Sequence, residues 1–313
     1  MGVVMLGSMD PMCRKTAGAF IRKFCHLGLE REEELQAFLM LVKAGGRIAC
    51  GEDVVRFGGL SNHSTILLSG VACRYRMTEN GRRQILIFQY PGDFCDVDRY
   101  LLRGPDDAVA ALTDCSIGII RHQDIERIIA RYPRFGQALW QATIKEAYIL
   151  RERLLNVSQR PALVRVANLL CEQIVRLEAI GADSAIIPMT QIDLADAASL
   201  SPVHMNRIVQ DLRRLGILSK HGRCIEIASR ERLMDIGQFD GRYLGLPQGA
   251  SEDRPAAGSV GTAPAQSANT SRLVANGDPI AYRQELHGRQ RRLRRADRPI
   301  LQASSSTDDA LPR

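Results

Sequence analysis

Apolar residues recur along this chain with two different periods. In the N-terminal half they fall in short runs, Ser64–Leu68, Ala72–Met77, Arg83–Phe88 and Ser116–Ile120. Turn residues recur around and between these runs, at Gly45-Gly46, Gly51, Gly58-Gly59, Gly70, Asn80-Gly81 and Pro91-Gly92. Short runs at intervals of roughly 8–12 residues predict strands of a compact antiparallel barrel or sandwich. Asn80-Gly81, between CRYRMTE and RRQILIF, is a hairpin signal, because both residues accept positive φ at little cost. One helical stretch, around residues 30–41, precedes the strands.

Beyond residue 122 the period becomes three to four. Gln123–Arg131 predicts a short helix, and Pro133 starts a longer one running to about Val157. Along it Leu139, Thr143, Ala147, Leu150, Leu154 and Val157 form a seam of the kind that pairs with a partner helix. Trp140, Ile144, Tyr148 and Leu155 form a second stripe, expected to pack on the β domain. Either the seam makes a dimer, or the helix packs wholly within its own chain. Arg160-Pro161 breaks the pattern, and Ala162–Leu177 predicts another amphipathic helix.

The segment TQIDLADAASLSPVHMNRIVQDLRRLGIL, Thr190 to Leu218, reads as two short helices joined by a turn at Ser199-Leu200-Ser201. Thr190 caps the first helix, whose Ile192, Leu194, Ala195 and Ala198 are spaced to face a core. Ser201 is an N-cap, and Pro202 suits the first helical position, where a missing N–H leaves nothing unsatisfied. Met205, Ile208, Val209 and Leu212 then mark one buried stripe, with Val203, His204, Asn206, Arg207 and Gln210 on or beside the outward face. Gly216 ends the helix. Leu218–Lys220 and Arg223–Ile227 predict a small hairpin around His221-Gly222, with Lys220, His221 and Arg223 set to meet phosphates. An ordinary helical hairpin is the alternative. The following hairpin favours a winged helix-turn-helix, which sets its second helix into the major groove of double-stranded DNA.

Composition changes this picture little. The chain has 313 residues, 45% hydrophobic and 25% charged, enough for two domains with real cores. A formal charge of +7 favours an anionic partner, but much of the excess lies in HGRQRRLRRADR, residues 287–298. From Gln248 the chain is small, polar and rich in Pro and Gly, as expected of a disordered basic tail. The eight cysteines, at 13, 25, 50, 73, 95, 115, 171 and 224, contain no Cys-x-x-Cys pair, so no metal site is expected. No signal peptide and no apolar span of membrane length are read, so the expectation is a cytoplasmic protein without membrane contact.

The order of β-barrel, long helix and winged helix resembles the CRP/FNR superfamily of bacterial transcription regulators. The match runs from about Phe20 to Gly245. Its strongest parts are STILLSGVACRYRMTENGRRQILIFQYPGDF, DAVAALTDCSIGII and the helix-turn-helix. The resemblance implies an α+β fold: an effector-sensing antiparallel barrel over residues 20–132 after an extension (1–19), a dimerisation helix over 133–157, and a winged helix over 158–247. It makes Gln191–Ala198 the positioning helix and Pro202–Leu215 the recognition helix, with Thr190, Gln191, Ser201 and Pro202 beside the DNA. The family's Ser-Arg-Glu-x-x-x-Arg pattern here reads Ser201-Pro202-Val203-His204-Met205-Asn206-Arg207. Arg207 is thus expected to read a guanine, while the absent glutamate leaves the half-site open. Partners implied are a second copy of the chain and RNA polymerase.

Family members that bind cyclic nucleotides carry Gly-Glu and then Arg-Ser. This chain has Gly92-Asp93 and, where Arg-Ser would align, Pro105-Asp106. A carboxylate in place of the phosphate's cation disfavours that ligand. Effector-pocket candidates are Gly92, Asp93, Phe94, Cys95, Arg99 and Arg103. An iron–sulfur cluster needs four thiolates, and only Cys13 and Cys25 lie near the N-terminus. Haem through His26, His63 or His122 rests on isolated histidines, so no cofactor is expected and the effector stays open. Cys95 reads as a buried structural thiol or a redox thiol. Catalysis by a barrel metalloenzyme would need about two or three converging histidines, and His63 alone lies between Arg31 and Ile120.

Overall fold

The computed structural model describes residues 18–19, 21–29, 31–58, 61–102, 107–221 and 224–246, with the side chains of Leu101 and His221 left aside. They belong to one compact unit, Met1–Ala250. Most of the N-terminal extension, Arg103, Pro105, Asp106, Arg223 and the segment from Gln248 lie outside the described residues.

Residues 21–25 are helical and lead to α1 (Glu32–Leu41). There follow β1 (Lys43–Ile48), β2 (Asp53–Val55), β3 (His63–Ser69), β4 (Ala72–Met77), β5 (Arg83–Gln89), the single turn α2 (Asp98–Leu101), β6 (Ala108–Ala111) and β7 (Cys115–Arg121). They make two antiparallel sheets, β1-β7-β3 and β2-β6-β4-β5, in an open jelly-roll-like pair and not a closed barrel. Val55, Leu67, Ala72, Val109, Cys115 and Ile117, drawn from both sheets, share the core between them.

The first sheet is covered on its other face as well. Ile66 points into a helical core with Phe24, Phe38, Phe94 and Phe135, while its neighbour Leu67 points between the sheets. A strand buried on both faces reads as an apolar run and not as an alternation. Each such side chain contributes about 1.5–3 kcal/mol by burial. Phe38 and Phe135, with ring centroids 4.5 Å apart, join α1 to the helix that leaves the roll.

Gly45-Gly46, expected as a turn, lies inside β1. Gly46 (φ 107°) sits where the register shifts, and a Cβ on Gly45 would stand 3.0 Å from the side chains of Ile117 and Ile119. This strand is mostly exposed, so it carries no hydrophobic alternation to betray it. Asn80-Gly81 does turn the chain, inside a loop over residues 78–82 closed by the Thr78 N–H donating to the Arg82 carbonyl (2.9 Å).

After α3 (His122–Arg131), α4 (Pro133–Gln159) runs beneath the roll and beyond it. Its inner face carries Phe135, Ala138, Leu139 and Ile149, then the polar Arg153 and Asn156. Leu139, expected in the seam, is only 8% exposed and belongs to its own chain's core. The stripe expected on the β domain is instead exposed, Trp140 by 70%, with Ile144, Tyr148 and Leu155 also open. At about 100° per residue the second stripe lies opposite the inner face, and the seam residues beyond Leu139 lie between the two.

The C-terminal part holds α5 (Ala162–Ala179), β8 (Ile186–Ile187), α6 (Gln191–Ala198), α7 (Pro202–Arg214), β9 (Leu218–His221), β10 (Cys224–Ile227), α8 (Arg230–Gly237) and a 3-10 turn (Gly241–Leu244). The wing is a three-stranded sheet, β8-β10-β9, with Ile225 paired to Lys220 on one side and Ile187 on the other. A buried Arg153–Glu172 pair (3.0 Å) ties α4 to α5, and the Tyr243 hydroxyl donates to the same carboxylate (3.2 Å).

Candidate nucleic-acid interface and effector region

Local chemistry builds the helix-turn-helix. Thr190 and Asp193 form a reciprocal capping box: the Asp193 N–H donates to Thr190 Oγ1 (3.2 Å) and the Thr190 N–H to Asp193 Oδ2 (3.1 Å). Leu194, Ala195, Ala197 and Ala198 are buried, whereas Ile192, expected inside, is 57% exposed. It lies in the first turn of this short helix, before the buried run that begins at Asp193. Ser199 ends α6 in the left-handed region (φ 53°), and the Ser201 hydroxyl accepts the His204 N–H (3.2 Å) to start α7 behind Pro202. Gly216 (φ 65°) lets the chain turn from α7 into β9.

Met205, Ile208, Val209 and Leu212 are buried. That leaves Val203, His204, Asn206, Arg207 and Gln210 exposed on α7, together with Ser201 and Pro202 at its start. Asn206 Nδ2 donates to Gln191 Oε1 (3.2 Å), which links the two helices at the same surface. Thr190 is exposed beside them, and Lys220 is exposed on β9. The structure therefore gathers the α6 and α7 candidates onto one face ending at a helix N-terminus, a place that favours anions.

A contact invisible in the sequence holds this module to the roll. Arg83 of β5 donates from Nη2 to Asp193 Oδ1 (2.6 Å) and from Nε to Asp196 Oδ2 (2.8 Å). Gln84 Nε2 donates to the Asp196 carbonyl (2.8 Å), and the Ser199 hydroxyl donates to Gln84 Oε1 (2.9 Å). No local pattern marks Arg83 among the arginines of this hairpin.

The effector candidates divide. Gly92 (φ 93°) shapes the turn, and its N–H donates to the Leu67 carbonyl (2.8 Å). Asp93 accepts the Tyr90 N–H (2.8 Å) and pairs with Lys23 and with Arg176 (3.6 Å). Asp93 and Phe94 line a cavity of about 110 Å³ bounded by β5, α4, α5 and the segment at Leu244. Cys95 and Arg99 do not line it. Arg99 donates to the Arg56 carbonyl (2.8 Å). Cys95 is buried, and burial pushes its thiol well above the usual range.

Sequence reasoning missed Arg74, which is buried on β4. Its Nη1 reaches Asp98 (3.1 Å) and Asp107 (3.0 Å), its Nη2 donates to the Cys95 carbonyl (3.0 Å), and its Nε lies 3.4 Å from Glu146 of α4. Burial works against this cation, but the three carboxylates more than offset it and hold it charged. Burial raises the Glu146 carboxyl, but Asp98 and Asp107 alone outnumber the one guanidinium. Those residues do not fit a cyclic phosphate, whose own negative charge would add to theirs.

Known proteins share this organisation. The family model of the cyclic nucleotide-binding domain matches residues 47–132, and that of the Crp-like helix-turn-helix domain matches residues 164–236. The transcriptional activator protein FnrL of Cereibacter sphaeroides is 27% identical over 197 residues, which is 61% of this chain and 78% of the relative. The nitrogen fixation regulation protein FixK of Bradyrhizobium diazoefficiens is 26% identical over 214 residues, 66% of this chain and 81% of that one. In fold the chain is similar to FixK2 from Bradyrhizobium japonicum, with a TM-score of 0.56 at 24% identity over 62% of this chain and 96% of that one. Among the described residues no helix is long and apolar enough to cross a membrane. With the sensor roll and the capped helix-turn-helix matched in the same order on one chain, the protein belongs to the CRP/FNR superfamily and is a DNA-binding transcription regulator of that type.

Proposed function

We propose that the chain acts as a homodimer on near-palindromic promoter DNA, with its two α7 helices in successive major grooves roughly 34 Å apart. The observation that carries this reading is the division of α7 into a buried apolar stripe and an exposed face holding Arg207, Asn206, His204, Val203 and Gln210. Arg207 reads a guanine through O6 and N7, and the neighbouring side chains contact adjacent bases or phosphates. Thr190, Gln191, Ser201 and Pro202 set the register, and Lys220, His221 and Arg223 of the wing meet the backbone.

The dimer forms through the outward face of α4. Thr143, Ala147, Leu150, Leu154 and Val157 supply the seam, widened by Trp140, Ile144, Tyr148 and Leu155. An exposed row of this size on one helix is what a partner helix covers. The complex recruits RNA polymerase in the cytoplasm and performs no catalysis. No cyclic nucleotide takes part in this reading, because Pro105-Asp106 stands where the Arg-Ser that receives its phosphate would align. Neither haem nor an iron–sulfur cluster is part of this reading.

Selection of bound sequences from random duplex DNA, with the purified full chain and no added ligand, tests the reading. A two-fold-symmetric motif is expected. Enrichment of a single half-site, or of nothing, would overturn the dimeric reading.

A further inference from the structure

We propose that Val203 selects a thymine in the DNA site, by seating its branched side chain on the C5-methyl group of that base. Val203 is the second residue of α7 and 64% exposed, so its own chain gives it little to pack against. A β-branched side chain is stiff in a helix, and at an exposed position it buries too little to offset that cost. Its contribution therefore lies outside the fold.

The helical period shows where. Val203, Asn206, Arg207 and Gln210 are all exposed and follow one another at i, i+3, i+4 and i+7, which makes them one row. Met205, Ile208, Val209 and Leu212 form the buried row on the opposite side. The Ser201 cap fixes where the exposed row begins, and Gln191 of α6 holds Asn206 within it (3.2 Å). Asn206, Arg207 and Gln210 end in hydrogen-bonding groups, whereas Val203 ends in two methyls.

The major groove offers one partner of matching chemistry. Every base presents nitrogen or oxygen groups there, and thymine adds a methyl. Against that methyl, Val203 takes apolar surface out of water. Against another base it covers polar atoms and gives them no partner, which costs affinity. Four residues of helix rise about 6 Å and successive bases about 3.4 Å, so the thymine lies within about two base pairs of the guanine of Arg207. This role for Val203 rests on α7 entering the major groove, as proposed above.

Replacing thymine by uracil removes the methyl and nothing else. In the half-site selected by the full chain, each thymine is exchanged in turn for deoxyuridine. Fluorescence anisotropy then reads the affinity of the parent and of Val203→Ser, whose melting temperature should match the parent's. One exchange, near the guanine whose preference Arg207→Ala abolishes, is expected to weaken the parent about fourfold per half-site. The same exchange should leave Val203→Ser unaffected. A selected half-site without thymine near that guanine, no exchange that weakens the parent, or equal weakening of Val203→Ser would each overturn the proposal and leave the regulatory reading standing. Enrichment of no motif would overturn both.

Discussion

Arg83 of the sensor roll and Asp193 of the helix-turn-helix meet at 2.6 Å, and the same aspartate closes the capping box of α6. One carboxylate thus starts a helix of the DNA-binding part and anchors it to the sensor. Asp193 is buried, so removing its partner leaves a charge only partly compensated by the Thr190 donors. Arg83→Ala is expected to destabilise the chain by about 1 kcal/mol and to speed amide hydrogen exchange in α6 ahead of α5. Unchanged exchange in α6 would mean that the contact holds nothing.

Ser201 and Arg207 stand six residues apart and should fail differently. Ser201→Ala removes a cap, and a loss of about 1 kcal/mol in thermal stability is expected. Arg207 is exposed, so Arg207→Ala should melt like the parent yet lose about 1–3 kcal/mol of specific affinity. Fluorescence anisotropy with the selected site and a scrambled one reads this directly. Equal losses on both would remove Arg207 from base reading.

Leu154 is 67% exposed on the outward face of α4. Leu154→Glu should therefore change the stability of the single chain by no more than about 0.5 kcal/mol while abolishing the dimer. Sedimentation velocity distinguishes the two species. A dimer persisting in this variant would move the interface elsewhere.

The thiols sort by burial. Cys73 and Cys171 are pushed up to about 12 and Cys115 to about 11, in each case chiefly by desolvation. At pH 8 a thiol of pKa 11 is thiolate in roughly one part in a thousand. Brief alkylation of the native chain at pH 8 should mark the exposed Cys50 and spare Cys73, Cys95, Cys115 and Cys171. As pH rises toward 11, Cys115 should be the first of these four to react, since a raised pKa withholds the thiolate until then. Rapid labelling of Cys95 at pH 8 would revive a redox role for it.

Much of the fold was legible because it rests on local rules. Thr190, Ser201, Pro202 and Gly216 act on backbone groups a few residues away, so the limits of α6 and α7 follow from spacing alone. Strand β1 escaped because its residues are exposed and its glycines serve a bulge, which looks like a turn in one dimension. The faces of α4 were misassigned for a related reason. Apolar side chains surround this helix, and periodicity cannot say which of three stripes meets its own chain.

By itself the sequence determined the succession of elements, the capped pair of helices and the outward residues of α7, since capping and helical period act within a few residues. Only the tertiary structure decided the rest. It brought Arg83 to Asp193 across 110 positions and set Arg74 among Asp98, Asp107 and Glu146. Those relationships depend on which surfaces meet when the roll, the long helix and the winged helix pack together. No short-range pattern encodes that.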